Sequence, residues 1–172
     1  TVSSTGPIGY PGYDLWIADY STVGMSRVNV AAPGGDYFRA TGTVQDAVLG
    51  ALSGTSDPVD GIWDFFDFLE QNIPAYEGLT VLDQGYRYGF LNGTSMAAPN
   101  AAGVAALVKQ MHPGWGPDAV KAAVQRSAQE LPCPPDWEPL SENDERERCY
   151  GRTGRTSFFG HGLVDADAAA GQ

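Results

Sequence analysis

Basic residues are scarce in this sequence. Its 172 residues include 10 Lys and Arg against 21 Asp and Glu, which gives a formal net charge of -11. A surface of that sign repels a phosphate backbone, because nucleic-acid binding depends on neutralising phosphates with Lys and Arg. The composition therefore argues against nucleic acid as a partner.

Long hydrophobic runs are also absent. The most apolar stretch, residues 97–108, is rich in Ala rather than in Leu, Ile or Phe, contains Pro99 and is followed by Lys109. A helix that spans a bilayer needs roughly 20 consecutive, strongly apolar residues. We therefore expect no membrane association, and we predict a core helix here.

Cysteine occurs only twice, as Cys133 and Cys149, on either side of a segment rich in Pro and charge. We predict a disulfide that closes residues 133–149, worth about 3 kcal/mol in the chain-entropy model. Such bonds persist in oxidising compartments, so we expect a secreted or otherwise extracytoplasmic protein. A zinc site formed by both cysteines and His161 is the alternative, but it lacks a fourth ligand and close Cys-x-x-Cys spacing.

The most informative stretch is residues 93–99, which read Gly-Thr-Ser-Met-Ala-Ala-Pro. The sequence that follows, up to Gln110, has no polar stripe, which predicts a helix that is buried on all sides. Free N–H groups in the first turn and the helix dipole favour negative charge at its start. Ser95 is therefore a candidate nucleophile, and its own backbone N–H is a candidate oxyanion donor.

This string resembles the nucleophile motif of subtilisin-like serine proteases, the subtilases. Residues 20–35, with a Pro-Gly loop at Pro33, and residues 116–121 and 160–170 are similar to other parts of that family. The resemblance implies an α/β fold, a parallel sheet flanked by helices, of which residues 1–172 form the C-terminal part of one catalytic domain. It also implies serine endopeptidase activity with no required cofactor. The substrate-binding residues that it implies are Leu91, Asn92, Gly93, Thr94 and Met96. The family usually carries a His where this chain has Asn100.

Histidine is nearly absent, and its placement limits what the chain can do alone. In subtilases the Asp, the His and an oxyanion-stabilising Asn all precede the Ser, whereas the only histidines here, His112 and His161, follow Ser95. A Ser hydroxyl without a general base is a poor nucleophile. We therefore expect this chain to be inactive alone, with an N-terminal segment or chain as partner. A peptide or protein is the expected substrate, and a propeptide, as in a zymogen, is possible.

Two other readings remain open. In an α/β-hydrolase the order Ser, Asp, His would make Ser95, Asp144 and His161 a complete set, but Ala97 replaces the Gly expected two places after the Ser. Too little chain remains for that fold, and residues 87–90 make a poor buried strand. A non-catalytic binding or regulatory subunit that keeps the Ser motif as a fold element is the second alternative.

Residues 36–87 look like an insertion, since short subtilases have their Pro-Gly loop and nucleophile much closer together. Within it we predict helices over residues 43–52 and 62–71; the large apolar residues of the second either pack as a satellite cluster or form a rim or docking surface. Elsewhere we predict a strand at residues 28–32, a helix that begins at Pro117 and a short helix capped by Asp165.

Two further expectations concern single residues. His112 is predicted to be structural, because it follows the long helix where a cation meets the negative end of the dipole. Calcium binding by Asp14, Asp19 and Asp36 is conceivable, since several subtilases bind calcium, but their spacing carries no ion-binding signature and we assign no metal.

Overall fold

The computed structural model describes residues 2–5, 17–36, 42–52, 62–134, 148–152 and 154–171. Strands β1 (Val2–Thr5) and β2 (Val30–Pro33) pair in parallel. Leu163 adds a parallel bridge to Ala31 on the other side of β2. Helices α2 (Thr94–Met111), α3 (Pro117–Ser127) and α4 (Ala166–Ala170) contact one another, and α2 lies against both strands. The predicted α/β class with parallel strands and packed helices is confirmed.

The main core forms where α2 meets β2 and the other two helices. One side of α2 buries Ala97, Ala101, Val104 and Val108, at the spacing that places residues on one helix face. The buried residues opposite them are Val30, Ala32, Ala123, Val124 and Ala169. Small side chains on α2 allow its backbone to approach the sheet closely, so this helix has a fixed position relative to β2.

The prediction that α2 is buried on all sides is wrong for this chain. Ala98, Ala102, Ala106 and Leu107 are exposed, although the helix is apolar around its whole circumference. The reason is that the described residues supply packing partners for one side only. An apolar helix face without a partner is a feature that the function must account for.

Residues 42–52 and 62–91 form a second layer with their own sheet. Strand β5 (Tyr86–Leu91) lies between β3 (Val48–Ala51) and β4 (Thr80–Asp83), and both pairings are antiparallel. The helix predicted over residues 43–52 is wrong, because only a 3₁₀ turn at Val44–Asp46 precedes β3. Pairing with β5, more than thirty residues away in the chain, decides the extended form.

Helix α1 (Ile62–Asn72) confirms the helix predicted over residues 62–71 and packs on this sheet. Asp67 forms an ion pair with Arg87 of β5 at 3.1 Å. The Glu70 carboxylate accepts hydrogen bonds from the backbone N–H and the hydroxyl of Thr80 at 2.8 and 2.9 Å. Each contact ties α1 to a different strand, so the helix and the sheet form one unit.

A satellite cluster holds this unit together, as predicted for the apolar residues of α1. The satellite cluster buries Val44, Phe66 and Leu79 and shares no residue with the main core. Phe65 and Phe68, on the same helix, are instead 54% and 55% exposed. The satellite cluster therefore covers only part of the apolar surface of α1.

Near the C-terminal end, the predicted disulfide is confirmed. Cys133 and Cys149 are bonded, with their Cα atoms 5.5 Å apart. Because both thiols are used in this bond, the alternative zinc site is wrong. Strands β6 (Gly151–Arg152) and β7 (Arg155–Thr156) follow the disulfide as a short antiparallel pair.

The smaller helix predictions are also confirmed. Helix α3 begins at Pro117 and buries Ala123, Val124 and Ser127 on one face. Asp165 caps α4, since its Oδ1 accepts a hydrogen bond from the backbone N–H of Ala168 at 2.8 Å. The predicted strand at residues 28–32 is present in part, as β2 begins at Val30.

The turn that follows β7 includes Gly162, a glycine that the fold requires. A Cβ on Gly162 would lie 2.0 Å from the carbonyl oxygen of Gln129, and its φ is +129°. We expect Gly162→Ala to destabilise the complete protein by about 3 kcal/mol, since both strain and a backbone clash oppose it. Thermal unfolding tests this, with Gly114→Ala as the control, because no atom lies within 4 Å of a Cβ there. Equal midpoints for the two variants would contradict the prediction.

Candidate active site

The loop that joins β5 to α2 positions Ser95. Strand β5 ends at Leu91, Gly93 is the residue before the helix, and Thr94 is its first residue. Gly93 has φ +150°, a backbone conformation that residues with a side chain rarely adopt. The glycine of the motif is therefore required by the sharp change of direction between strand and helix.

Backbone hydrogen bonds fix this first turn and leave the Ser95 N–H open. The carbonyl of Gly93 accepts from the N–H groups of Met96 and Ala97 at 2.9 and 3.2 Å. Ser95 is exposed, and among the described residues neither its backbone N–H nor its hydroxyl has a hydrogen-bond partner. A nucleophile needs an accessible hydroxyl and an oxyanion needs an unoccupied N–H at the same place, and Ser95 offers both.

The Pro-Gly loop after β2 holds residues 92–95, which we call the nucleophile loop, from the other side. Gly93 donates its N–H to the carbonyl of Gly34 at 2.8 Å. The Tyr20 hydroxyl donates to the same carbonyl at 3.1 Å and also to that of Gly35. A Cβ on Gly35 would lie 2.6 Å from the Ala47 Cα, so this loop is tightly packed against the turn before β3.

Sequence reasoning identified the Pro-Gly loop but missed its contact with Gly93 and the role of Tyr20. The positions of the Pro-Gly loop and of the Ser95 motif along the chain do not show how close the two lie in space. A usable signal was present, since a strand that ends in Pro-Gly-Gly marks a close backbone approach. The structure shows that the approach is to the residue before the nucleophile helix.

The residues predicted to bind substrate surround Ser95 because they adjoin it in the chain. Leu91, Asn92, Gly93, Thr94 and Met96 are all half-buried, and Leu91 pairs with Val48 at the end of the sheet. Half-buried side chains beside an exposed Ser suit contact with an extended peptide. Their role in binding remains a prediction.

Neither histidine lies near Ser95. His112 follows the end of α2, and seventeen residues at 1.5 Å per residue place it about 25 Å away. Its ring stacks on Trp115 with a centroid distance of 3.8 Å, which agrees with the predicted structural role.

His161 occupies the opposite end of β2 from the nucleophile loop. Its N–H donates to the carbonyl of Asn29 at 2.9 Å. Gly34 contacts the nucleophile loop and lies five residues further along the strand, a distance of about 16 Å. The catalytic set of an α/β-hydrolase, with His161 as the base, is therefore wrong. Asp144, its proposed acid, lies outside the described residues.

The surroundings of His161 give the stability of the fold a pH dependence. Partial burial, and secondly the nearby Arg155 guanidinium, lower the pKa of His161 below its ordinary value of 6.5. As the pH falls through that ordinary value, the unfolded chain binds a proton before the folded chain does, so the free energy of unfolding decreases. We expect His161→Gln to flatten the decrease in thermal midpoint between about pH 7.5 and pH 5. A variant as pH-sensitive as the parent protein would contradict this.

The aspartates considered for calcium are not brought together by anything the structure describes. Asp19 is exposed, Asp36 is buried, and Asp14 lies outside the described residues. Within those residues no group of three His, Cys, Asp or Glu side chains is arranged to hold a metal ion. Likewise, no helix described here has the length and hydrophobicity needed to cross a membrane.

Comparison with known proteins identifies the family. The profile of the subtilase family, Peptidase_S8, matches residues 16–162. This chain belongs to the subtilase family, whose members are serine proteases. The predicted family is thus confirmed, and the alternative of an α/β-hydrolase is excluded.

Individual relatives agree with this assignment. The subtilisin-like protease SBT4.3 of Arabidopsis thaliana is 45% identical over 65 residues, 38% of this chain and 8% of its own length. The CO(2)-response secreted protease of the same plant is 48% identical over 42 residues, 24% of this chain and 6% of its own. A solved protease of Pseudoalteromonas arctica PAMC 21717 superposes with a TM-score of 0.57 at 28% identity. That match covers 99% of this chain and 34% of the solved one, so the chain spans about a third or less of each of these three proteins.

Proposed function

We propose that this chain carries the nucleophile of a serine endopeptidase and that Ser95 forms the acyl-enzyme. The observation that supports this most is the geometry at the start of α2. Ser95 is exposed there with an unoccupied backbone N–H, and the hydrogen bond from Gly93 to Gly34 holds its turn in place. A fold element kept only for packing would not need an exposed hydroxyl at this position.

The general base, its orienting Asp and the oxyanion Asn come from a separate segment or chain. The positions of His112 and His161 support this, since both are far from Ser95. The exposed apolar side of α2 supports it as well, because a segment that completes the subtilase domain would pack on this side and bury it. In this proposal residues 1–172 alone hydrolyse no peptide bonds.

The reaction is acyl transfer to the Ser95 hydroxyl. The base of the partner segment takes the hydroxyl proton as Ser95 Oγ attacks the scissile carbonyl carbon. The oxyanion accepts hydrogen bonds from the Ser95 N–H and from the partner's Asn. The amine then leaves with the proton, and water attacks the ester to release the acid and restore the Ser95 hydroxyl.

Leu91, Asn92 and Met96 line the side of the cleft that the leaving group occupies. Each is close to Ser95 in the chain and half-buried, and Asn92 offers backbone hydrogen bonds to an extended peptide. The substrate in this proposal is a peptide or protein that binds in an extended form. No nucleic acid or membrane takes part.

Secretion and activation by removal of a propeptide fit the same proposal. The Cys133–Cys149 disulfide is a bond that persists in oxidising compartments. A protease that is stored or exported without harm also needs its active site blocked until release. Fractionation of the source material, with mass analysis of the mature protein, tests both points.

A fluorophosphonate probe, which reacts with activated serines, tests the proposed function. Intact mass is measured under denaturing conditions before and after labelling of the complete protein. A single adduct that maps to Ser95 supports the proposal, whether this chain is an 18.2 kDa species or part of a longer one. Absence of an adduct on a folded, complete protein would contradict it.

The alternative is a catalytically silent subunit that binds or regulates another protein. One observation favours it: among the described residues no histidine lies near Ser95. The same experiment separates the two functions, since a silent subunit assembles with its partner and takes up no probe.

A further inference from the structure

Asn100 links the nucleophile helix to the end of β2 through its side-chain amide. Its Nδ2 donates to the carbonyl of Pro33 at 2.8 Å and to the carbonyl of Met96 at 3.2 Å. An amide nitrogen carries two hydrogens, so both bonds can be made at once. One bond stays within α2, at the ordinary separation of four residues, and the other reaches 67 residues back along the chain.

The long-range bond has a counterpart on the other side of Ser95. Pro33 and Gly34 present consecutive carbonyls, the first to the amide of Asn100 and the second to the N–H of Gly93. Gly93 and Asn100 bracket the first turn and a half of α2, and Ser95 lies between them. The two ends of the segment that holds the hydroxyl are therefore attached to adjacent residues, Pro33 at the end of β2 and Gly34 just after it.

We propose that Asn100 is a positioning residue that fixes the orientation of Ser95 through this pair of attachments. The inference rests on the proposed function, since it concerns the geometry of an attack by Ser95. Without the Asn100 bonds, the bond from Gly93 to Gly34 is the one hydrogen bond among the described residues that ties this turn to the loop after β2. Core packing at Ala97 still holds the helix, but the exposed side of the first turn, where Ser95 lies, can then shift. A displacement of the nucleophile by about 1 Å can cost a hundredfold in rate.

The chemistry of an amide suits this role. Asn100 is exposed and neutral at every pH, so its bonds do not weaken by titration and bring no charge close to the developing oxyanion. A His at the same position carries a ring N–H that can donate to one of the two carbonyls. A Leu has nearly the same shape as Asn but no donor.

The experiment compares Asn100→Leu and Asn100→His in the complete protein, with Asn72→Leu as a matched control. Asn72, on α1, also donates its side-chain amide to the carbonyl four residues earlier, that of Phe68 at 2.8 Å, but among the described residues it bonds to no other segment. For each protein kcat, KM and the rate of fluorophosphonate labelling are measured per active site, together with the thermal midpoint.

We expect Asn100→Leu to lower kcat and the labelling rate together by about tenfold with KM little changed. Asn100→His should recover much of the loss, and Asn72→Leu should show none. Equal per-site rates for the parent and Asn100→Leu would overturn the inference. A loss of total activity that is explained wholly by fewer active sites and a lower thermal midpoint would also overturn it, because Asn100 would then act on stability alone. Failure of the parent protein to label would instead refute the proposed function.

Discussion

Ser95→Ala will abolish peptide hydrolysis by the complete protein, with kcat lower by on the order of 10⁶-fold, the loss that removal of the nucleophile causes in subtilisin. Thr94 is the other hydroxyl residue of this first turn, but it is half-buried whereas Ser95 is exposed, so we expect nothing to replace the Ser95 hydroxyl. Stability should change little, because Ser95 is exposed and makes no hydrogen bond among the described residues. Steady-state hydrolysis of a peptide pool and the thermal midpoint measure the two effects.

Ser26→Ala is the matched control for this prediction. Ser26 is also exposed and lies in the turn before β2, away from the nucleophile loop. It should retain full activity and take up the fluorophosphonate at the parent rate. Substantial turnover by Ser95→Ala would refute the assignment of the nucleophile, and an inactive Ser26→Ala would show that the assay reports folding instead.

The sequence predicted best those features whose signals are local. The start of α3 at Pro117 and the cap of α4 at Asp165 depend on a few adjacent residues, and both are confirmed. The motif around Ser95 predicted the long helix α2 for the same reason. Such predictions are reliable because a helix and its cap make their hydrogen bonds within the segment that carries the pattern.

Features that depend on distant partners were missed. Residues 48–51 were predicted as helix, yet they pair with β5 as a strand. Their own composition does not identify that partner. The contact between Gly34 and Gly93 is of the same kind. Asn100 was noticed only as a departure from the family's usual His, and the carbonyl that it reaches belongs to a residue 67 positions away.

The burial of α2 shows a different limit. Its apolar circumference predicts contact on all sides, but the described residues cover only the face of Ala97, Ala101, Val104 and Val108. The prediction fails for this chain because a sequence pattern describes the environment that a helix requires in the whole protein. In the proposed function, the uncovered residues are where the partner segment packs.

Ala102→Asp will test this in the complete protein. Ala102 lies between Ala98 and Ala106 on the exposed side of α2, at spacings of four residues that place the three on one line. If the partner segment covers that line, the substitution buries an unpaired carboxylate, at a cost of several kcal/mol. We expect the thermal midpoint and the peptidase activity of the complete protein to be lost together.

Ala119→Asp makes the same chemical change on an exposed position of α3. Near the start of a helix a carboxylate is slightly favourable, so this control should unfold at or above the parent midpoint. If Ala102→Asp matched it, the exposed side of α2 would be a solvated surface in the complete protein, because surface substitutions usually change stability by no more than about 0.5 kcal/mol. A helix apolar on every side, packed on one side only, is an unstable arrangement in water, and for that reason we expect the two variants to differ.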